Sequence, residues 1–521
     1  MQATSVGDAV HIAVQDYRAG RLDTAAQVCL EILQSHPNHA HALHLLGAMA
    51  YQKGWYRQAL DLIREAIKNN PYVPQFHNTF GATLRAIGER QEAVAAYERA
   101  TSLDPGYSSA YMNMGNVFLS QNQFPIAVEK YRHALSLDPT CIEAYNRMAV
   151  ALQYEGELDA AAEVCQQALS LKPDDAEMYN TMASVFMKKG YHNDAIEHYR
   201  RALKLKPDYV EAHCNLGMIL LLNGHFDEGW AEYRWRLKIQ NNTCLQRYSV
   251  PCWDGSPFAG KKLVVHFEQG FGDNIQFVRY LPMVKRRGGT VICEMLRPLT
   301  GLMRDFPGID ELMDAPISNN SLVEMDLHVP LLELPRIFGT ILHTIPCDIP
   351  YLYADSIKAE RWRQRLTGRD FKVGIVWAGE STHTEDRNRS CHLRHFLQLS
   401  KIPGVQLIGL QKGTAAGQMK DLTWERPIIN LADELNDFAD TAAVIENLDL
   451  VISVDTAVLH LAGAMGKPAW ALISSCPDWR WMLDRQDCPW YPTIKLFRQE
   501  RHDGWEVVLK RVTKELSLLK Y

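Results

Sequence analysis

Small apolar positions recur along the first half of the chain at one fixed interval. Ala25, Ala59, Ala93, Ala127, Ala161 and Ala195 lie 34 residues apart, and Ala66, Ala100, Ala134, Ala168 and Ala202 keep the same step in a second phase. A third phase holds Gly47, Gly81, Gly115 and Gly217, with Ala149 and Ala183 in its remaining places. Residues of little bulk at fixed positions let two helices approach closely. Pro37, Pro71, Pro105, Pro139, Pro173 and Pro207 repeat at the same interval, and a proline closes a helix because it cannot continue one. Each period therefore predicts a helix pair ended by a proline turn. The stretch "AYMNMGNVFLSQNQFPIAVEKYRHALSLDP", Ala110 to Pro139, is its most regular unit.

The rhythm stops after Arg234–Lys262, where Pro251, Gly255, Pro257 and Gly260 mark a linker. Apolar runs of strand length then alternate with helical stretches: "KLVVHF", "GTVICEM" and "DLHVPLLELP", followed by a new start at "FKVGIVWAG", "VQLIGLQKG", "LDLVISVDTAVLHLAGAMG" and "PAWALIS". Strands separated by helices predict βαβ units and parallel sheets. Two such sets predict two Rossmann-like lobes facing a cleft, with ligands at the carboxyl ends of the strands.

Composition narrows this little. At 521 residues the chain is too long for one core, and with 47% hydrophobic and 22% charged residues it is ordinary for a globular protein. A net charge of -6 argues against general binding to nucleic acid or anionic membranes. No apolar run reaches the roughly 18–20 residues of a membrane span, and the first residues lack the pattern of a signal peptide. The eleven cysteines are scattered without a CxxC pair, which points to reduced thiols, no structural zinc and a cytoplasmic location.

The 34-residue period resembles the tetratricopeptide repeat, over residues 6 to 238, with six full units and a partial seventh. That resemblance implies a superhelix of helix pairs with a concave groove. Asn78, Asn113, Asn116, Asn146, Asn180 and Asn215 recur on the first helices, although asparagine disfavours helix. Their amides could clamp the backbone of an extended acceptor polypeptide, or a solvated groove could simply tolerate polar residues.

Two loops carry candidate chemistry. In "HFEQGFGDNIQF", His266 to Phe277, a strand meets a glycine turn and then a helix, the layout of a phosphate loop. Gly270 and Gly272 fit a dinucleotide fingerprint, with Glu294 ending the next strand, but Ile275 replaces the third glycine and Asp273 would face the phosphates. In "SVDTAVLHLAG", Ser453 to Gly463, a strand ends at Asp455-Thr456 and a helix begins. Thr456 and free N–H groups at that helix start suit an anion, Asp455 suits sugar hydroxyls, and His460 lies one turn on. Equally, Asp455 reads as a helix cap and His460 as a packed residue.

"VDTAVLHLAGAMGKP" resembles the D-[ST]-x-x-x-H-L-A-x-A-x-G-x-P signature of the ADP-heptose transferase-like group of GT-B glycosyltransferases, and "GFGD" resembles its N-terminal glycine–aspartate loop. With "VWAGESTHTEDRNRS", "LQKG", "DFADTAAVIENLDLVISVDTAVLHLAGA", "PDWRWMLDR" and "PWYPTIKLFRQ", the chain is similar to bacterial tetratricopeptide-repeat proteins carrying such a domain. Its overall plan also resembles the O-GlcNAc transferases. The fold class implied is an α-helical TPR superhelix followed by an α/β GT-B domain of two Rossmann-like lobes. The divisions expected are 1–238 repeats, 239–262 linker, 263–360 N-terminal lobe and 361–521 C-terminal lobe, its last helix packing back across the lobes.

The resemblance implies a metal-independent inverting glycosyltransferase, with a nucleotide-sugar as substrate and no cofactor. Asp273 would be the catalytic base facing an acceptor hydroxyl, which partial burial would strengthen. Arg387, Arg389, Lys412 and Thr456 would hold the donor diphosphate, the arginines standing where the family keeps a lysine. Asp455, His460, Phe438 and Gly272 would line the donor sugar and nucleoside. The sequence holds no convincing DxD motif, since Asp449 stands between two leucines in a strand-like run, and His383 and His392 match no metal spacing. Trp479 and Trp481 read as core or as the start of a lobe-closing helix. The expected partners are the sugar donor and a protein or glycan acceptor, with no nucleic acid and no membrane span. The alternative is an interaction scaffold whose sugar-nucleotide domain is catalytically silent.

Overall fold

The computed structural model describes residues 6–239, 247–315, 324–380, 386–500 and 503–519. The chain divides into two compact units, Met1–Pro207 and Asp208–Tyr521.

The first unit is a run of antiparallel helix pairs, from Val6–Arg18 with Leu22–Ser35 to Ala176–Lys188 with His192–Leu205. Every alanine of the two periodic alanine series is fully buried. The glycine series shows why bulk is excluded: a Cβ at Gly81 would lie 2.7 Å from the Tyr97 ring, and one at Gly115 would lie 2.5 Å from the Tyr131 ring. Both tyrosines are themselves fully buried, so neither can yield. Gly20, Gly54, Gly88, Gly156 and Gly190 all have positive φ, as does Asn122 in the same 34-residue register. Each repeat thus turns between its two helices through one left-handed residue, a conformation that glycine and asparagine adopt at least cost.

The inner polar residues form a ladder. His44 Nε2 pairs with Thr79 Oγ1 at 2.9 Å, Asn113 Nδ2 donates to Asn78 Oδ1 at 3.0 Å, and Thr181 Oγ1 donates to Asn146 Oδ1 at 2.9 Å, each across 35 residues. The asparagines therefore belong to two adjacent phases, one repeat offering a side chain to the next. Asn180 and Asn215 stand in that same register. Asn116 belongs to neither phase; its Oδ1 accepts from the Tyr131 hydroxyl at 2.8 Å within its own repeat.

The second unit opens with one more pair, Val210–Leu222 and Phe226–Tyr233. This seventh pair shares a core with the α/β domain: Leu221, Phe226, Trp230 and Tyr233 join a buried cluster that includes residues of both sheets. The first sheet is parallel, in the order β3-β2-β1-β4, with β1 at Lys262–His266, β2 at Thr290–Met295, β3 at Glu311–Asp314 and β4 at Leu327–Pro330. The second is parallel in the order β10-β9-β8-β5-β6-β7. Its strands are β5 Phe371–Val376, β6 Val405–Gly409, β7 Ile429–Asn430, β8 Leu450–Val454, β9 Ala469–Ile473 and β10 Ile494–Arg498. Two parallel α/β sheets are consistent with the GT-B lobes expected. The order reverses between β5 and β8, so their carboxyl ends open a crevice.

Two expectations change here. Residues 247–262 fall within the expected linker, and 240–246 lie outside the described residues. Yet Tyr248, Trp253 and Phe258 are buried, and the Trp253 backbone N–H donates to the His328 carbonyl at 2.7 Å beside β4. The last helix, Trp505–Leu516, does not cross the lobes. Its Val508, Leu509, Val512 and Leu516 pack into a cluster built wholly of residues from the second sheet and its covering segments, because those four apolar positions match that sheet's open face.

The left-handed turns give a direct test. Gly88→Ala places a side chain at φ +91, where L-residues pay about 1–2 kcal/mol. Gly115→Ala should cost about 1–3 kcal/mol by overpacking against Tyr131. Both losses should appear in denaturant unfolding followed by helical circular dichroism, whereas Asn122→Gly should lose nothing.

Candidate functional site

The glycine loop leaves β1 and starts the helix Phe271–Phe277. Asp273, at the third position of that helix, turns back so that its Oδ2 accepts the Gly270 N–H at 2.9 Å. Gly272 lies close against the helix Ala457–Ala464 that follows β8: a Cβ there would sit 2.8 Å from Cδ2 of His460. The His460 ring is held in turn, with Nδ1 3.0 Å from the Tyr491 hydroxyl and Nε2 3.7 Å from Asp455 Oδ1. The two loops singled out in the sequence therefore meet, Gly272 against His460.

Around the second loop, Thr456 precedes the helix Ala457–Ala464, and its hydroxyl pairs with Ser453 Oγ at 2.9 Å. Burial works to raise the Asp455 carboxyl, but the adjoining His460, together with Trp481 and Arg389, holds it below the usual carboxylate range. Arg389 reaches this region by passing over Gly379, where a Cβ would lie 2.6 Å from its Nη2. Its Nε is 3.3 Å from Asp386 Oδ1. Arg387 instead lines an open cavity of about 500 Å³ with Gly379, His392, Thr414, Gln418 and Trp505. Residues 381–385, including His383, lie outside the described residues.

Two predicted ligands have other partners. The Lys412 ammonium donates to the carbonyls of Leu435 and Ala432, so it braces the loop before the helix Phe438–Glu446. Phe438 packs against Phe271 of the glycine loop, ring centroids 5.1 Å apart, and is half-buried. Rival readings also resolve into structure. Glu294 is fully buried and accepts from Arg247 at 3.0 Å and from the Tyr248 hydroxyl at 2.9 Å, leaving no ribose site. Asp449 Oδ2 accepts the Lys372 N–H at 2.7 Å at the start of β8.

The residue that sequence reasoning passed over is Arg480. It lies in a short turn, Trp479–Trp481, between β9 and β10, and its guanidinium pairs with Asp273 Oδ1. Its Nε donates to Gln276 Oε1 at 2.7 Å and its Nη1 to Asp478 Oδ1 at 2.8 Å. Burial opposes the charge, but Asp478 and Asp273 hold the group protonated far above its ordinary range. On the other side of the glycine loop, Arg236 forks onto Glu268, Nε to Oε1 at 2.7 Å and Nη2 to Oε2 at 2.9 Å. Burial pushes the Glu268 carboxyl up despite that pairing. Only the arginine-and-tryptophan composition of "PDWRWML" hinted at this; the partner, some two hundred residues away, could not be read from it.

Comparison with known proteins defines the class first. Tetratricopeptide-repeat models match residues 115–154, 183–224 and 142–175, and a model of the anaphase-promoting complex, cyclosome, subunit 3 matches 19–100. The model of glycosyltransferase family 9 (heptosyltransferase) matches residues 405–512. The chain thus carries tetratricopeptide repeats followed by a family 9 glycosyltransferase domain. That match contains Lys412, Phe438, Asp455, Thr456, His460 and Arg480, while Asp273, Arg387 and Arg389 lie before it.

Among individual proteins, the chain is 27% identical over 299 residues to Protein FlbA of Caulobacter vibrioides, covering 52% of this chain and 49% of that one. It is 28% identical over 102 residues to Protein O-mannosyl-transferase TMTC1 of Mus musculus, covering 19% and 11%. The chain spans about half the length of FlbA, or less of the other curated relatives. Among solved structures, Pseudomonas aeruginosa pilF aligns at TM-score 0.36 and 18% identity, over 40% of this chain and 94% of that one, a likeness too slight to carry an argument.

The contact between the loops is testable without any substrate. Gly272→Ala should cost about 1–3 kcal/mol in thermal unfolding, because the buried His460 ring cannot move aside. Gly270→Ala is the control: its nearest neighbour, Asp273 Oδ2, would be 3.5 Å from the new Cβ, so the melting temperature should hold.

Proposed function

We propose that the second unit transfers a sugar from a nucleotide-sugar to a hydroxyl of a polypeptide or glycan, by direct displacement with inversion. The observation that carries this reading is the meeting of Gly272 with His460, which brings the loop that carries Asp273 against the helix that follows Asp455 and Thr456. The donor diphosphate lies at the N-terminus of the Ala457–Ala464 helix, where free N–H groups and the helix dipole favour negative charge. Arg389, and Arg387 from the open cavity, supply the cations that offset charge on the leaving nucleoside diphosphate. Asp455 accepts hydrogen bonds from the sugar hydroxyls. Asp273 faces the acceptor and takes the proton of its hydroxyl as that oxygen attacks the anomeric carbon. The repeats of the first unit offer the surface that engages a protein acceptor.

One observation favours the second reading, a silent domain that serves as scaffold. Both oxygens of Asp273 already have partners, Gly270 and Arg480.

Thermal shift against a panel of nucleoside diphosphates and sugar nucleotides separates the two. A ligand at 100 times its Kd stabilises by about 2.7 kcal/mol. One nucleotide should stand out, its effect lost in Asp455→Ala and kept in Asp273→Asn. If none stabilises the wild-type chain, the donor site is refuted and the scaffold reading stands.

A further inference from the structure

Arg480 is bound more tightly than a structural ion pair requires. Asp478, two residues before it in the same turn, already neutralises it at 2.8 Å. Yet the guanidinium also crosses to the helix Phe271–Phe277, where it grips Asp273 and Gln276, residues one turn apart on one face. Its side chain is only 8% exposed, against 17% for Asp273, so the cation is hidden while the carboxylate keeps an edge toward solvent. The guanidinium carbon lies over the rings of Trp479 and Phe277, at 4.3 and 5.6 Å from their centroids, so the cation is packed as well as hydrogen-bonded. With Gly270 N–H on Oδ2 and Arg480 on Oδ1, the Asp273 carboxylate is held from two sides, and only its outward lone pairs are left for a third donor.

We infer that Arg480 is a positioning residue for the transfer: it aims the Asp273 carboxylate, and it does so across the two sheets, so the base is complete only while they are seated on each other. This rests on Asp273 being the proton acceptor. On this account the pairing of both oxygens is the aiming of a base, and the incoming hydroxyl is the third donor.

The experiment uses the full chain and the sugar nucleotide that stabilises it most, with release of nucleoside diphosphate as the readout. Asp273→Asn should lower turnover by about 100-fold or more. Arg480→Gln should lower kcat by about 10-fold or more while leaving the donor KM within about twofold, because the donor contacts lie on the other loop. Arg480→Lys, which keeps the charge but cannot grip both Asp273 and Gln276, should recover part of the loss. In the Asp273→Asn background, Arg480→Gln should cost no more than about twofold further, as residues acting through one another are non-additive. A loss of full size in that background, or one carried by KM, makes Arg480 a brace of the fold and overturns the inference with the Asp273 reading intact. Wild-type turnover in Asp273→Asn, or no turnover of any panel member by the wild type, refutes the reading beneath it instead. Should Arg480→Gln fail to fold, Arg480→Lys is judged by the same non-additivity.

Discussion

Taking a guanidinium out of water costs several kcal/mol unless its donors are met, and the second unit buries Arg236, Arg279 and Arg480 almost completely. Each therefore dictates where its acceptors stand. Arg236 binds Glu268 and Glu333, fastening the segment after the seventh helix pair to the first sheet. Arg279 donates to the carbonyls of Trp490 and Pro346 and to the Tyr351 hydroxyl, tying the first sheet's helices to the segment between β9 and β10. Arg480 returns from that segment to Asp273 and Gln276. The glycine loop is thus gripped at Glu268 on one side and Asp273 on the other. Loss of any one of these cations would strand buried carboxylates or carbonyls, so the arrangement holds as a set.

The aromatic rings complete the same seam. Trp479, beside Arg480, stands edge-on to Trp230 with centroids 5.2 Å apart, and Trp230 donates its indole N–H to the Thr340 carbonyl at 2.8 Å. Trp230 belongs to the last helix pair of the repeat pattern. The pair that ends the array is therefore a structural part of the α/β domain, and a cut at the end of the 34-residue rhythm would pass through a core. That explains why the compact boundary falls at Pro207, one pair before the periodicity ends.

Range in the chain decides which contacts the sequence discloses. The repeat is translational, so Ala59 meets in its unit what Ala93 meets in the next, and a fixed interval in the chain becomes a fixed environment in space. The asparagines fall out of phase because the ladder joins position 78 of one repeat to position 113 of the next, an offset of 35 superposed on a period of 34. The strands and both site loops were readable from local apolar runs and glycine. Lys412 was not, since a lysine after a strand looks the same whether its ammonium meets a phosphate or the Leu435 carbonyl. Arg480 was hidden more deeply, its meaning residing wholly in Asp273 across the seam.

A loop of glycine and backbone N–H groups would ordinarily receive an anion, and the acid at its tip argues against that use. Here Asp273 occupies the Gly270 N–H itself, acting as the loop's own internal anion, and a buried arginine balances the charge. At the other strand-end loop Thr456 turns its hydroxyl to Ser453, and no side chain caps the helix that follows. One loop has thus met its own amide with a carboxylate, while the other starts its helix without a side-chain cap. In the transfer proposed above, the first loop takes the proton of the acceptor hydroxyl and the second faces the leaving anion, so the difference between the two loops is the difference between their two tasks.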